Sequence, residues 1–338
     1  MRYIEVPERT TLLGENCRET NMKRRAFLKT ITTVSSVSWL AGSAASPAGS
    51  REGPLDRFKL GSISDEWSQD LEEALKGMKG YGLRWVEVRN VWNIYNTEAS
   101  AEQVRRMKDL LAGYAFKLSV LDTAFYKCAL PGTKPVSGDK DVYPYPEQMD
   151  LLKRGIERAH ALGTDKVRVF AFWRVADPEK HFSRISDELL KAAEVAKAES
   201  ARLVLENESS CNVATGGELA RILKLVPADN LGANWDVGNG AWQGEVSFPA
   251  GYGVLPKSRI WHMHLKDVRC GAGFTNCQTA VVGTGELDLL GQFRALLRDG
   301  YQGTMSLEPE YETASLPHGA ATRRSLEGLL KIMAAALA

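Results

Sequence analysis

From residue 51 onward the chain alternates two hydrophobic patterns. Short β-branched or apolar runs recur, each followed by a longer segment whose apolar residues return every three or four positions. The runs lie at 59–63, 85–88, 117–121, 166–170, 202–206, 231–236, 260–265 and 304–308. Several are almost continuously apolar, as strands buried on both faces must be. The helical period is clear at 71–79, 101–114, 148–162 and 183–200, and it stops at Leu162-Gly163 and Asp299-Gly300. It is weakest at 248–257, which holds Pro249, Gly251, Gly253 and Pro256.

Eight strands alternating with eight helical patterns predict a parallel sheet. From Lys59 to the end, the length averages about 35 residues per βα unit, which suits a single (β/α)8 TIM barrel of the α/β class. A doubly wound open sheet is the alternative. It would carry a glycine-rich phosphate turn after an early strand, and Gly61-Ser62-Ile63-Ser64-Asp65 is not one.

The first fifty residues read differently. Lys23-Arg24-Arg25-Ala26-Phe27-Leu28-Lys29 precedes an uncharged, mildly apolar stretch at 30–50 that ends in small residues. This is the order of a secretory leader, and the paired arginines resemble a twin-arginine (Tat) export signal. The expectation is an N-terminal extension and signal at 1–50, cleavable or disordered, before a barrel at 51–338. Met22 is the expected start, the Tat machinery the expected export partner, and the periplasm the expected destination. The apolar run is too short and too rich in Ser and Thr for a stable membrane anchor.

Composition adds exclusions. A formal net charge of +1 leaves no electrostatic footprint for nucleic acid. Five cysteines without a CxxC pair exclude zinc ribbons and thioredoxin-type chemistry. Cys270 and Cys277 share one loop, where a disulfide and a free-thiol loop are both open readings.

Catalytic groups of a barrel stand at the C-terminal ends of its strands. Four consecutive runs end on a metal-ligand type: Glu206, Asp236, His264 and Glu308. Their separations of 30, 28 and 44 residues approximate one βα unit each, with a longer seventh loop. An N-cap aspartate explains any one of them. It does not explain four on adjacent strands. Three carboxylates together repel unless a cation or protons neutralise them. Three oxygens and one imidazole favour Mn²⁺, with Mg²⁺, Co²⁺ or Zn²⁺ as alternatives.

These residues carry a resemblance. Leu205-Glu206-Asn207, Trp235-Asp236-Val237-Gly238-Asn239, His262-Met263-His264-Leu265-Lys266-Asp267 and Leu307-Glu308-Pro309 resemble the xylose isomerase-like TIM-barrel superfamily. The nearest group is the sugar phosphate isomerase/epimerase group. Gly283-Thr284-Gly285-Glu286 resembles its Gly-x-Gly turn. The resemblance implies Glu206, Asp236, His264 and Glu308 as metal ligands, with Glu206 and Glu308 also the catalytic acid–base pair. It implies a small sugar or glycoside as substrate and a homo-oligomer as a frequent state. The group's epimerases place a histidine three residues after the aspartate ligand, where this chain has Asn239. An amide hydrogen-bonds a hydroxyl but transfers no proton at neutral pH.

Further residues are expected near substrate. His262 points the same way as His264 on a regular strand, with a satisfied buried histidine as the alternative. Asn239, Lys266, Arg269 and Trp173 are the other substrate-binding candidates, Trp173 as a platform for a sugar ring. A loop ion pair is expected for Asp267, and an internal pair with Arg89 for Glu87. His318 stands within reach of the mouth.

The reaction expected is isomerisation or epimerisation by proton abstraction beside a carbonyl through an enediolate. A lyase or dehydratase acting on keto-sugars, inososes or 3-keto-glycosides begins with the same step. An endonuclease IV-like nuclease and a non-catalytic sugar-binding protein are further readings. The first needs more histidine ligands than this chain's five histidines supply at strand ends. The second needs no complete ligand set.

Overall fold

The computed structural model describes residues 53–136 and 138–338. The twin-arginine segment and the expected start at Met22 lie outside the described residues. Eight parallel strands form the barrel wall: β1 (Lys59–Ser62), β2 (Trp85–Val88), β3 (Lys117–Leu121), β4 (Lys166–Val169), β5 (Arg202–Glu206), β6 (Leu231–Asp236), β7 (Ile260–Leu265) and β8 (Thr304–Leu307). Around the wall they run β1-β8-β7-β6-β5-β4-β3-β2, and a parallel bridge between Ile63 and Glu87 joins the two ends. The strand expectations hold almost to the residue, because each run is buried on both faces and only a parallel wall covered by helices buries it so.

The outer helices are α1 (Leu71–Gly80), α2 (Ala101–Tyr114), α3 (Gln148–Leu162), α4 (Phe182–Ala198), α5 (Gly216–Leu225), α6 (Tyr252–Val254), α7 (Leu289–Arg298) and α8 (His318–Leu337). Local chemistry sets their ends. Asp70 accepts from Glu73 N at 3.0 Å to start α1. Ser100 with Gln103, and Thr215 with Glu218, form capping boxes on α2 and α5. Gly163 ends α3 in the left-handed region at φ 93°. The sixth helix is the exception: residues 247–251 form a kinked turn with a cis Phe248-Pro249 bond, and only three residues of helix follow.

Two hairpins decorate the C-terminal mouth, Asn90–Val91 with Ile94–Tyr95 and Asp267–Gly271 with Thr275–Ala280. The second carries the Cys270–Cys277 disulfide. No described helix is long and apolar enough to cross a membrane.

Candidate metal centre and active site

Register brings the four strand-end residues together. On the wall Asp236 pairs with His264, Ser306 with His264, and Glu206 with Asn234. The end of one strand therefore lies beside the end of the next. Donor atoms of Glu206, Asp236, His264 and Glu308 all fall within 4.8 Å of one another, and all four residues are buried.

His264 organises the cluster. Its Nδ1 faces inward, 3.2 Å from Glu206 Oε1, 3.0 Å from Glu308 Oε2 and 3.9 Å from Asp236 Oδ2. Its Nε2 faces away and lies 3.0 Å from Glu87 Oε1. A histidine whose rear nitrogen is held by a carboxylate presents its front nitrogen with fixed tautomer and orientation. Burial opposes a charge on His264, but Glu87, Glu206 and Glu308 together hold its titration well above the ordinary histidine value.

The carboxylates are only partly answered. Lys266 Nζ lies 3.1 Å from both Asp236 Oδ2 and Glu308 Oε2, and 2.7 Å from Glu310. Arg168 approaches Glu206 Oε2 at 3.3 Å and Asp122 at 3.0 Å. Arg89 binds Glu308 Oε1 at 2.6 Å together with Asp65 and Glu66. Even so, Glu206 Oε2, Asp236 Oδ2 and Glu308 Oε2 accept no well-aligned hydrogen bond. Three buried oxygens with charge nearby but no donor aimed at them are what a cation fills. Burial pushes Asp236 up to about 7, with Glu206 and Glu308 adding to the shift and Lys266 and His264 opposing it. The donor set of three carboxylates and one imidazole therefore fits a divalent ion of the Mn, Mg, Co or Zn type.

Asn239 joins this cluster. Its side-chain amide donates to Asn207 O at 2.9 Å and lies 3.4 Å from Glu206 Oε1. Its backbone N–H donates to Asp236 Oδ1, as does that of Gly238, each at 2.8 Å. The ligand candidate Asp236 is thus fixed by the loop that follows it.

Above the cluster an open cavity of about 320 Å³ is lined by Arg89, Tyr95, Lys127, Arg168, Trp173, Glu208, Glu308 and Glu310, among others. Trp173 stands in this wall, its indole N–H donating to Asp141 at 2.7 Å. Lys127 lies 5.8 Å from the Trp173 ring and pairs with Glu208 at 3.2 Å.

Four expectations need correction. His262 is not at the mouth. It lies one layer deeper, wholly buried, with Nδ1 bonded to Thr304 Oγ1 and Nε2 to Glu87 Oε2, both at 2.7 Å. Arg269 is exposed on the outer hairpin, bonds Thr284 O, and lines a separate groove beside Tyr311. Glu87 does not pair with Arg89, which pairs instead with the buried carboxylates of Asp65, Glu66 and Glu308. Among the described residues Asp267 has no cationic partner. Backbone N–H groups of Val268, Gly283, Gly285 and Leu287 surround its carboxylate instead. Gly285 is required there, since a Cβ would lie 2.1 Å from Asp267 Oδ1. The Gly-x-Gly turn is therefore a cradle for a loop carboxylate.

Sequence reasoning passed over Arg168, Asp122 and Glu66. A signal existed: Arg168 is a charged residue between the two valines of its strand, and Asp122 directly follows β3 as Glu308 follows β8.

Residues 75–332 match the family model described as xylose isomerase-like TIM barrel. The chain belongs to this family. A curated relative, an inosose dehydratase of Serratia proteamaculans, is 28% identical over 151 residues, 40% of this chain and 50% of the relative. The chain thus matches about half the length of that relative. Solved structures share the fold at low identity. The IolI protein with a bound zinc atom superposes with a TM-score of 0.64 at 18% identity, covering 82% of this chain and 98% of the other. D-psicose 3-epimerase with D-tagatose from Clostridium cellulolyticum H10 gives 0.62 at 17%, covering 82% and 99%.

Proposed function

We propose that this xylose isomerase-like barrel is a divalent-metal-dependent sugar isomerase or epimerase. The observation that carries it is the convergence of Glu206 and Glu308, from strands three apart, with Asp236 on the inward nitrogen of His264. Glu206, Asp236, His264 and Glu308 would hold the cation, with Mn²⁺ the first candidate. When bound, such a cation supplies Lewis acidity toward a carbonyl and its neighbouring hydroxyl, acidifying the C–H between them.

The remaining chemistry belongs to the chain. One carboxylate of the Glu206–Glu308 pair removes the proton, and the other returns one at the opposite face or the adjoining carbon. Asn239 holds Glu206 from the side. Arg89 and Lys266 hold Glu308. Lys127 and Trp173, in the wall of the mouth cavity, meet the rest of the sugar, and the Lys266 ammonium donates to a substrate hydroxyl. Glu87 keeps the front nitrogen of His264 aimed at the cluster.

A dehydratase acting on a keto-sugar or inosose is the second reading. It is favoured by the inosose dehydratase relative and by Lys266, a buried cation beside the acid–base pair that stabilises a departing hydroxyl. The leader-like segment supports export to the periplasm, so the substrate proposed is an unphosphorylated sugar or glycoside.

Incubation of Mn²⁺-loaded protein in deuterated water with free ketoses, 3-keto-glucosides and inososes tests both. Deuterium incorporation with inversion or ketose–aldose exchange supports the first reading. Loss of water supports the second. Absence of exchange into any of the three classes, or full activity in Glu206→Gln and Glu308→Gln, overturns both.

A further inference from the structure

The barrel has a second opening, at the N-terminal ends of its strands. A cavity of about 670 Å³ lies there, lined by Lys59, Trp85, Lys166, Arg202, Ile260 and Thr304, the first residues of six barrel strands. Along β5, Arg202 and Glu206 are separated by about 13 Å of strand, so this cavity and the catalytic mouth are opposite ends of one barrel.

Its charge is one-sided. Lys59, Lys166, Arg202 and Lys257 all line the wall, and Asp299 is the acid among the lining residues. Asp299 is engaged by Arg298 at 2.9 Å and by the Tyr252 hydroxyl at 2.9 Å. Asp165, just behind the wall, is bound by Arg202 at 2.7 Å and lies 3.5 Å from Lys166. Among the described residues no acid hydrogen-bonds the remaining two cations. Lys59 Nζ donates to Gln302 O at 2.9 Å, and Lys257 Nζ donates to the backbone carbonyls of Tyr252, Gly253 and Leu255. The cations also feel one another: burial lowers the Lys166 titration, and repulsion from Arg202 and Lys59 lowers it further against the pull of Asp165. An arrangement that gathers like charges in a concave, partly buried wall is stabilised by an anion in its centre.

The walls are also shaped. Arg202 lies over Trp261 at 5.5 Å, and Lys117 over Trp85 at the same distance. The Trp261 ring packs on Gly232, where a Cβ would lie 2.4 Å from it. These contacts hold the two indoles and the guanidinium as a rigid frame rather than as a loose fringe of lysines.

We infer that the N-terminal opening of the barrel is an oxyanion-binding site, built for a phosphate or sulfate group that is either free or carried on a saccharide. It is separate from the catalytic mouth and does not depend on the reaction proposed there.

Titration of the full chain at low ionic strength with inorganic phosphate, and separately with a sulfated disaccharide, tests this by tryptophan fluorescence and calorimetry. Binding is expected to perturb Trp85 and Trp261 emission and to weaken with added salt. The double variant Lys59→Gln/Lys166→Gln is expected to weaken binding about tenfold or more through loss of two charge contacts, while Glu308→Gln leaves it unchanged. Should the double variant unfold, Lys59→Gln alone serves, since Lys59 is exposed. Equal affinity for both probes identifies a free oxyanion as ligand; markedly tighter binding of the disaccharide identifies a saccharide. The inference fails if neither probe binds the wild-type chain, if the lysine variants bind as tightly as wild type, or if Glu308→Gln abolishes binding.

Discussion

The side chain that decides this site is Glu87, because both its oxygens are used. Oε2 meets His262 and Oε1 meets His264, at 2.7 and 3.0 Å. Burial opposes its ionisation, yet the two histidines hold it well below the usual carboxylate range. Glu87→Gln would present one donor where two acceptors stand, misorienting His264. Mn²⁺ affinity is expected to fall about 10- to 100-fold with the circular dichroism spectrum unchanged; calorimetric titration with Mn²⁺ is the check. Lys266 poses the opposite case. It is 1% exposed among Asp236, Glu308 and Glu310. Lys266→Met removes that cation and leaves buried carboxylates uncompensated, a loss of about 3–5 kcal/mol in metal-free protein. Added Mn²⁺ is expected to restore more thermal stability to this variant than to wild type. Equal metal responses would mean the ammonium and the cation do not share the same carboxylates. Residue chemistry was legible in the sequence where it sat at a strand end. It was not legible for Glu87 and His262, since residue type and alternation state which way a side chain points but not which layer of a barrel it reaches.

At the scale of elements, strands were readable from their apolar runs, and helices from an apolar period closed by a stop such as Gly163. The sixth helix was not, because Pro249, Pro256 and two glycines, Gly251 and Gly253, leave only tertiary contacts to shape that segment. The seventh loop was misread for a related reason: the partners of Asp267 are backbone N–H groups, which no sequence spells out. Gly285→Ala would drive a methyl group into the Asp267 carboxylate and the Val268 carbonyl. Unfolding by urea is expected to show a loss of about 1–3 kcal/mol, as for other overpacked sites. A second joint has a pH signature. His318, the first residue of α8, lies 2.9 Å from Glu66 in the loop after β1. The hydrogen bond to Glu66 raises the His318 titration above its ordinary 6.5, against partial desolvation. The folded state therefore binds that proton more tightly than the unfolded state. Its contribution is complete below about pH 6 and fades as pH rises through the raised value. With His318 34% exposed, screening keeps it to about 1 kcal/mol or less. His318→Gln is expected to cost stability at pH 6 and almost none at pH 9; an equal cost at both would show that the joint is not ionic.

At the scale of the whole molecule, the chain divides its charge by barrel end, with buried carboxylates at the C-terminal mouth and strand-initial lysines and arginine at the other. Neither end was visible in the near-zero net charge, because composition averages over the axis that separates them. The same averaging hides the basic N-terminal segment, on which the proposed export rests. Two independent features meet there. Lys23-Arg24-Arg25 stands before an uncharged apolar stretch, and Cys270 and Cys277 are joined in the mouth hairpin, a bond that persists in oxidising compartments and is rare in reducing ones. A twin-arginine route moves folded chains, so a metal bound before export would travel with the barrel. Expressed at full length in a bacterium with that route, the protein is expected in the periplasmic fraction, shortened by about the length of a signal peptide. Arg24→Lys/Arg25→Lys is expected to hold it in the cytoplasm at full length, with the barrel still folded and Cys270 and Cys277 open to thiol labelling. Recovery of the wild-type chain from the cytoplasm, uncut and with both thiols free, would place its substrate inside the cell and return phosphorylated sugars to the candidates.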